Sequence, residues 1–179
     1  MGNPSPTDRR FDKPSMESLV DLINHSNKTF IQYGEIEADE ITPIEGSDSA
    51  LWNTTAQIRL AGTGDGAPSA TMTYGRLDIS QYLPAPASFV YDDDTDTANL
   101  LLQLKTLHHI QLTENDCTIQ LSAADEFGAR TIFFIIRSQQ PVWTGMLVVQ
   151  AYPTGYVPPT VIDLTYDGFT LDQLQPQQA

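Results

Sequence analysis

Cysteine, lysine and long apolar runs are all scarce in this sequence, and each scarcity removes a class of protein. The single cysteine, Cys117, can form no disulfide within the chain and has no second thiol to share a zinc site. That usage fits a reducing compartment. Lysine occurs only at Lys13, Lys28 and Lys105, and the formal net charge is −14. Such a surface repels phosphates and anionic headgroups, so neither direct nucleic-acid binding nor membrane binding is expected. The longest apolar run, Ile132-Phe133-Phe134-Ile135-Ile136, is strand-sized, far short of the ~20 residues a spanning helix needs. Met1 to Arg10 has no basic segment followed by an apolar one, so no secretory leader is read there.

What remains is enough for a folded core. Hydrophobic residues make up 40% of the 179 and charged residues 18%, too apolar a mixture for a disordered chain. Residues 1–14 are proline-rich, charged and without periodicity, and read as an extended N-terminal arm. After Pro14, Ser15 is placed to cap a helix, and Met16, Leu19, Val20, Leu22 and Ile23 keep helical spacing. Phe30, Ile31 and Tyr33 suggest a short strand, and 35–50 reads as acidic and irregular. Thr54 to Ala61 alternates apolar and polar, turns through Gly62 to Pro68, and returns as Ala70 to Ile79, which predicts a hairpin.

Phe89-Val90-Tyr91 reads as a short strand. A second amphipathic helix follows, with Leu100, Leu101, Leu104, Leu107 and His108 as its apolar stripe. Thr113 to Asp116 has the spacing of a single helical turn. Strands are expected at 117–122, 130–137 and 143–152, with a further edge strand at Val161 to Tyr166. Phe133 to Ile136 is apolar on both faces, which places its strand centrally. The fold class is therefore α+β: predominantly antiparallel β-sheet, two short amphipathic helices and extended terminal arms. One domain spans 15–171, in at most two lobes meeting near 82–95, and 172–179 is an extended tail. The predicted core includes Leu101, Leu104, Phe134, Ile136, Leu147 and Val149.

Chemistry-bearing residues form no recognisable set. Asp92, Asp94 and Asp96 have the odd-position spacing of a calcium loop, but Thr97 and Gln103 stand where such a loop needs Gly and Glu. Helix capping and a solvated acidic turn account for the run. His108 falls on the apolar stripe, and adjacent His109 points elsewhere. Cys117 has acidic neighbours, Glu114 and Asp116, which raise a thiol's pKa rather than activate it. Gly62 to Gly66 runs into a strand with Asp65 inside it, unlike a phosphate loop. No Ser/His/Asp set, paired-carboxylate signature or dinucleotide fingerprint appears, so no catalytic, cofactor or metal residue is assigned, and a non-enzymatic protein is expected.

Two stretches carry a resemblance. Thr71-Met72-Thr73-Tyr74-Gly75-Arg76-Leu77-Asp78-Ile79 is one; the other runs from Leu100 to Leu104 and on through His109-Ile110-Gln111-Leu112-Thr113-Glu114-Asn115-Asp116. Together they resemble virion structural proteins of large contractile-tailed bacteriophages. The resemblance implies a building block of a tail, baseplate or neck, made in the host cytoplasm and carried in the virion. Its partners would be other virion proteins in multiple copies, met through β-edges and terminal arms. The alternatives are a β-rich ligand- or glycan-binding module using Trp52, Trp143 or Tyr152, and a head decoration protein. The candidate interface residues are Phe11, Trp52, Trp143, Tyr152, Phe169 and Leu174, with Phe11 and Leu174 as apolar anchors in polar arms.

Overall fold

The computed structural model describes residues 11–47, 52–63, 67–82 and 88–156. The fold is α+β, with strand exceeding helix and antiparallel pairing dominant. The expected strand at Val161 to Tyr166 and the tail from 172 lie outside the described residues, as do positions 1–10 of the arm.

The first lobe packs helix α1 (Ser15–Asn27) on an antiparallel sheet of β1 (Ile36–Pro43), β2 (Thr54–Leu60) and β3 (Ala70–Tyr74), in the order β1-β2-β3. Leu19, Val20 and Ile23 project from α1 onto Ile36, Ile41, Ala56 and Tyr74. The predicted strand at Phe30 to Tyr33 is absent. The Asn24 side chain accepts from the Ile31 N–H at 2.8 Å and donates to its carbonyl at 2.7 Å, so both ladder groups of that residue are occupied. The region expected to be irregular instead contains β1. Its alternation is broken by a bulge between Asp39 and Thr42, where Glu40 has φ 47°. Ile41, freed from the ladder, gives its N–H and C=O to the Gln139 side chain at 3.0 and 3.2 Å.

The second lobe lays helix α3 (Thr97–His108) over a four-stranded sheet. Its strands are β5 (Ser88–Val90), β6 (Cys117–Leu121), β7 (Arg130–Ile136) and β9 (Met146–Tyr152), in the order β5-β9-β7-β6. The apolar strand β7 is interior, as its sequence requires. Leu100, Leu101 and Leu104 meet Phe89, Ile132, Phe134, Leu147 and Val149 in the core. Asp96 caps α3 by accepting from the Asn99 N–H at 2.8 Å. Leu107, placed on the stripe by spacing, is 55% exposed. Ile136 is partly rather than fully buried.

The returning strand of the predicted hairpin does not reach Ile79. It breaks at Gly75-Arg76, and β4 (Leu77–Asp78) pairs in parallel with β8 (Trp143–Thr144) of the second lobe. A one-turn helix, α2 (Ile79–Tyr82), follows as a third helix beyond the two expected. The turn predicted as helical at Thr113 is instead closed by Asp116, which accepts from both the N–H and hydroxyl of Thr113 at 2.8 Å. Gly145, between β8 and β9, has φ 83°, and a Cβ there would stand 2.7 Å from Asp78 Oδ1.

Arg76 joins the lobes and is 6% exposed. Its Nε donates to Thr54 Oγ1 at 3.0 Å, and Nη1 donates to the carbonyls of Ser138 at 2.7 Å and Gln140 at 3.3 Å. Beside it, Gln140 donates to Ser15 Oγ and accepts the N–H groups of Val142 and Trp143. Ser15, expected as an N-cap, is thus used between the lobes, and Pro14 occupies the cap position.

Phe134 is fully buried between helix and sheet. Phe134→Ala should lower the unfolding free energy by roughly 3–5 kcal/mol in urea titrations; a loss below about 1 kcal/mol would contradict this core. Arg76→Ala should cost roughly 3 kcal/mol, since one charged donor serves three acceptors. Arg76→Lys should recover only part of it, because an ammonium cannot reproduce the guanidinium fork.

Candidate functional site

Several of the ionisable residues singled out from the sequence are engaged within the fold, and others face solvent. Asp92 accepts from the N–H of Thr154 at 2.8 Å and from its hydroxyl. These bonds hold its carboxyl below the usual range, the hydroxyl contributing most. Asp92 thereby ties the start of the α3 approach to the turn after β9. Asp96 caps α3, while Asp93 and Asp94 are exposed. Asp125 closes its own turn by accepting from the Phe127 and Ala129 N–H groups at 2.9 and 2.8 Å.

His108 stacks on Phe89 with ring centroids 5.6 Å apart. Burial, then neighbouring His109, lowers its pKa. His109 ends α3 in a left-handed conformation, and His25 is exposed at the end of α1. No group of three His, Cys, Asp or Glu side chains is arranged to hold a metal among the described residues. Cys117 is 3% exposed, and burial, reinforced by Asp116, pushes its thiol up to about 11.

A cleft of ≈ 550 Å³ lies between the acidic run and the 124–130 turn, lined by Tyr91, Asp92, Asp93, Asp94 and Arg130 among others. Arg130 sits 5.3 Å above the Tyr91 ring and donates to the Ser122 carbonyl at 3.0 Å. The cleft is thus lined by three carboxylates and one guanidinium.

The aromatic candidates separate. Trp143 is 1% exposed and Phe11 packs beside it, 4.7 Å between centroids, with Tyr82 closing the cluster at 5.2 and 5.0 Å. The Phe11 carbonyl also accepts from Gln111 N–H at 2.9 Å. Trp143 therefore belongs to the chain's own core and Phe11, expected as an anchor on a neighbouring subunit, packs partly buried against it. Trp143 likewise cannot grip a ligand. Trp52 is 58% exposed on the first lobe. Tyr152 stacks on Tyr156 at 5.0 Å with rings nearly parallel. Phe169 and Leu174 lie outside the described residues.

One partly exposed apolar face has no counterpart among the sequence candidates. It is the outer face of the four-stranded sheet, opposite α3. Pairing across β7 and β9 sets Phe133 beside Val148 and Ile135 beside Met146. Val148 is 47% exposed and Met146 42%. The signal was present in the two-faced apolar run, which demanded cover on both sides, although α3 supplies only one.

The chain belongs to a family of unknown function (DUF7941). The family model matches residues 9–166, which include both lobes. No curated protein and no solved structure matches the chain.

Cys117 should resist alkylation in the folded protein near pH 8, because both burial and the raised pKa suppress the thiolate. Mass spectrometry should detect the adduct only after denaturant is added; rapid labelling of the native chain would contradict the placement.

Proposed function

We propose that this chain is a non-enzymatic structural component of a bacteriophage particle, in the tail, baseplate or neck, contacting other virion proteins in multiple copies. The observation that carries the reading is where its apolar side chains are displayed. Phe30 is 97% exposed, and Tyr33 and Trp52 are more than half exposed, on the first lobe. The Phe133–Met146 face is on the second. Apolar side chains left in water on both lobes are what a subunit with several contacts would display. A subunit within an assembly needs contacts on more than one side, whereas a module gripping one ligand needs a single concave site. The resemblance of the Thr71–Ile79 and Leu100–Asp116 stretches to contractile-tail virion proteins adds the kind of assembly. The virion is then its location, after synthesis in the host cytoplasm.

Mass spectrometry of purified particles should find the chain in a fixed ratio to known tail proteins. The double variant Phe30→Ser, Trp52→Ser should keep its melting temperature, because both side chains already face solvent, yet enter particles several-fold less. Particles that lack the chain, or that take up the double variant normally, would sink the proposal.

A further inference from the structure

We propose that the outer face of the four-stranded sheet is a self-association surface, against which a second copy of this chain packs the same face. This rests on the subunit reading above and names the partner for one of its surfaces.

The molecule supplies its own comparison. The first lobe also has a sheet face turned away from its helix, and that face is built for water. Arg59 lies between Glu37 and Asp39, at 3.4 and 2.8 Å, and Gln57 bonds Thr71. The corresponding face of the second sheet has a different composition. Its positions, by register, are Ser88 and Val90 on β5, Tyr152, Gln150, Val148 and Met146 on β9, Thr131, Phe133 and Ile135 on β7, and Thr118 and Gln120 on β6. None of them is charged, in a chain with 23 acidic and 9 basic residues. An open antiparallel sheet normally alternates apolar inward with polar outward. Here the centre of the outward face is apolar and the strand positions around it carry neutral amides and hydroxyls; the first charges, Asp116 and Arg137, come one pair beyond the ends of β6 and β7.

The missing charge also selects the occupant. A partner of opposite sign would be steered and registered by ionised groups on this face. In a two-fold contact between identical faces, each residue near the axis meets its own copy, so any carboxylate or ammonium would face its like. A face without charge is the condition for a chain of net charge −14 to meet itself. Flat sheets pack face to face at about 10 Å with interdigitating side chains, and the Phe133–Val148 and Ile135–Met146 pairs offer the ridges. The face measures roughly 20 Å by 20 Å from strand length and spacing. Two copies therefore bury less than the ~1,200 Å² of a standard stable interface. The contact is correspondingly weak between isolated chains and strengthens when other contacts hold the copies together.

Sedimentation equilibrium of the purified full chain tests this. A reversible dimer is expected, tightening several-fold between about 50 mM and about 300 mM salt, because screening relieves the mutual repulsion of the acidic chains. Val148→Lys and Gln150→Glu should each weaken it at least about tenfold with an unchanged melting temperature, since either charge would be buried against its copy. Effects in the same direction from charges of opposite sign locate the contact at the face rather than in the net charge. Gln150 is exposed, so its variant tests the idea even if Val148→Lys destabilises the sheet. A chain that stays monomeric at every concentration overturns the proposal, and so does a dimer indifferent to both variants. A monomer destabilised by both variants also overturns it, by showing that the chain covers the face itself. A monomeric chain found in particles would leave the subunit reading standing; a dimeric chain absent from particles would remove the virion reading alone.

Discussion

The buried guanidinium of Arg76 is the constraint on which the arrangement of this protein depends. It sits where the first sheet has ended and β4 has begun, and its three acceptors come from both lobes: Thr54 from β2, Ser138 and Gln140 from the loop after β7. A charge at 6% exposure is tolerable only when its donors are used. The loop is therefore held against the first lobe, and Gln139 and Gln140 complete the contact through Ile41 and Ser15. Asn53 fixes the Arg76 backbone by accepting its N–H at 2.8 Å and donating to its carbonyl at 3.0 Å. Apolar packing builds each lobe, but these directional bonds determine how one lobe meets the other. Nearby Tyr74 illustrates the cost of such burial. Its hydroxyl is enclosed without a hydrogen-bond partner, and desolvation pushes its pKa up to about 12.

Each lobe solves the same problem of covering one sheet face with one helix, and they differ in what is done with the other face. On the first sheet the open side is finished with an ion pair ladder and side-chain amides. On the second it is left apolar at the centre. One edge of that second sheet is protected at β5, where Gln103 of α3 both accepts from and donates to the Val90 backbone at 2.8 Å. That strand cannot extend the sheet by pairing with another chain at Val90, because the groups needed are already bonded. Contact through the face and closure at this edge are consistent with one another: strand addition is blocked at Val90 while the face stays open.

How much of this was legible in the sequence depended on whether an element obeys a single period. The α3 stripe and the β2–β3 hairpin could be read because their apolar residues repeat at 3.6 or 2, and the interior position of β7 because its run is apolar on both faces. Strand β1 could not, because the bulge at Glu40 shifts Ile41 out of step with Ile36 and its acids looked like loop. The misread strand at Phe30 to Tyr33 failed for the opposite reason. Its composition is strand-like, but a single asparagine seven residues earlier captures the backbone of Ile31. Nothing local reveals that Arg76 will be buried or that Leu77 will leave its hairpin for Trp143, since both depend on a loop more than sixty residues away. The same limit governed the interface candidates. Phe11 reads in sequence as an apolar residue in a polar arm and Trp143 as a ligand-gripping aromatic, and only the fold shows that they pack on each other.

The two displayed surfaces and the Arg76 junction belong to one physical argument. A subunit that touches neighbours through different lobes transmits the angle between those lobes to the whole assembly. Apolar contact alone fixes such an angle poorly, because dispersion and burial are nearly indifferent to rotation about the contact. Hydrogen bonds from a planar, charged fork are not indifferent, since each loses strength steeply as its angle departs from linear. Replacing the junction with apolar residues could preserve stability while loosening the relation between the surfaces. In the proposed role, the buried polar junction therefore matters chiefly for shape: it holds the exposed aromatics of the first lobe and the uncharged sheet of the second at one setting, so that many copies can meet in the same way.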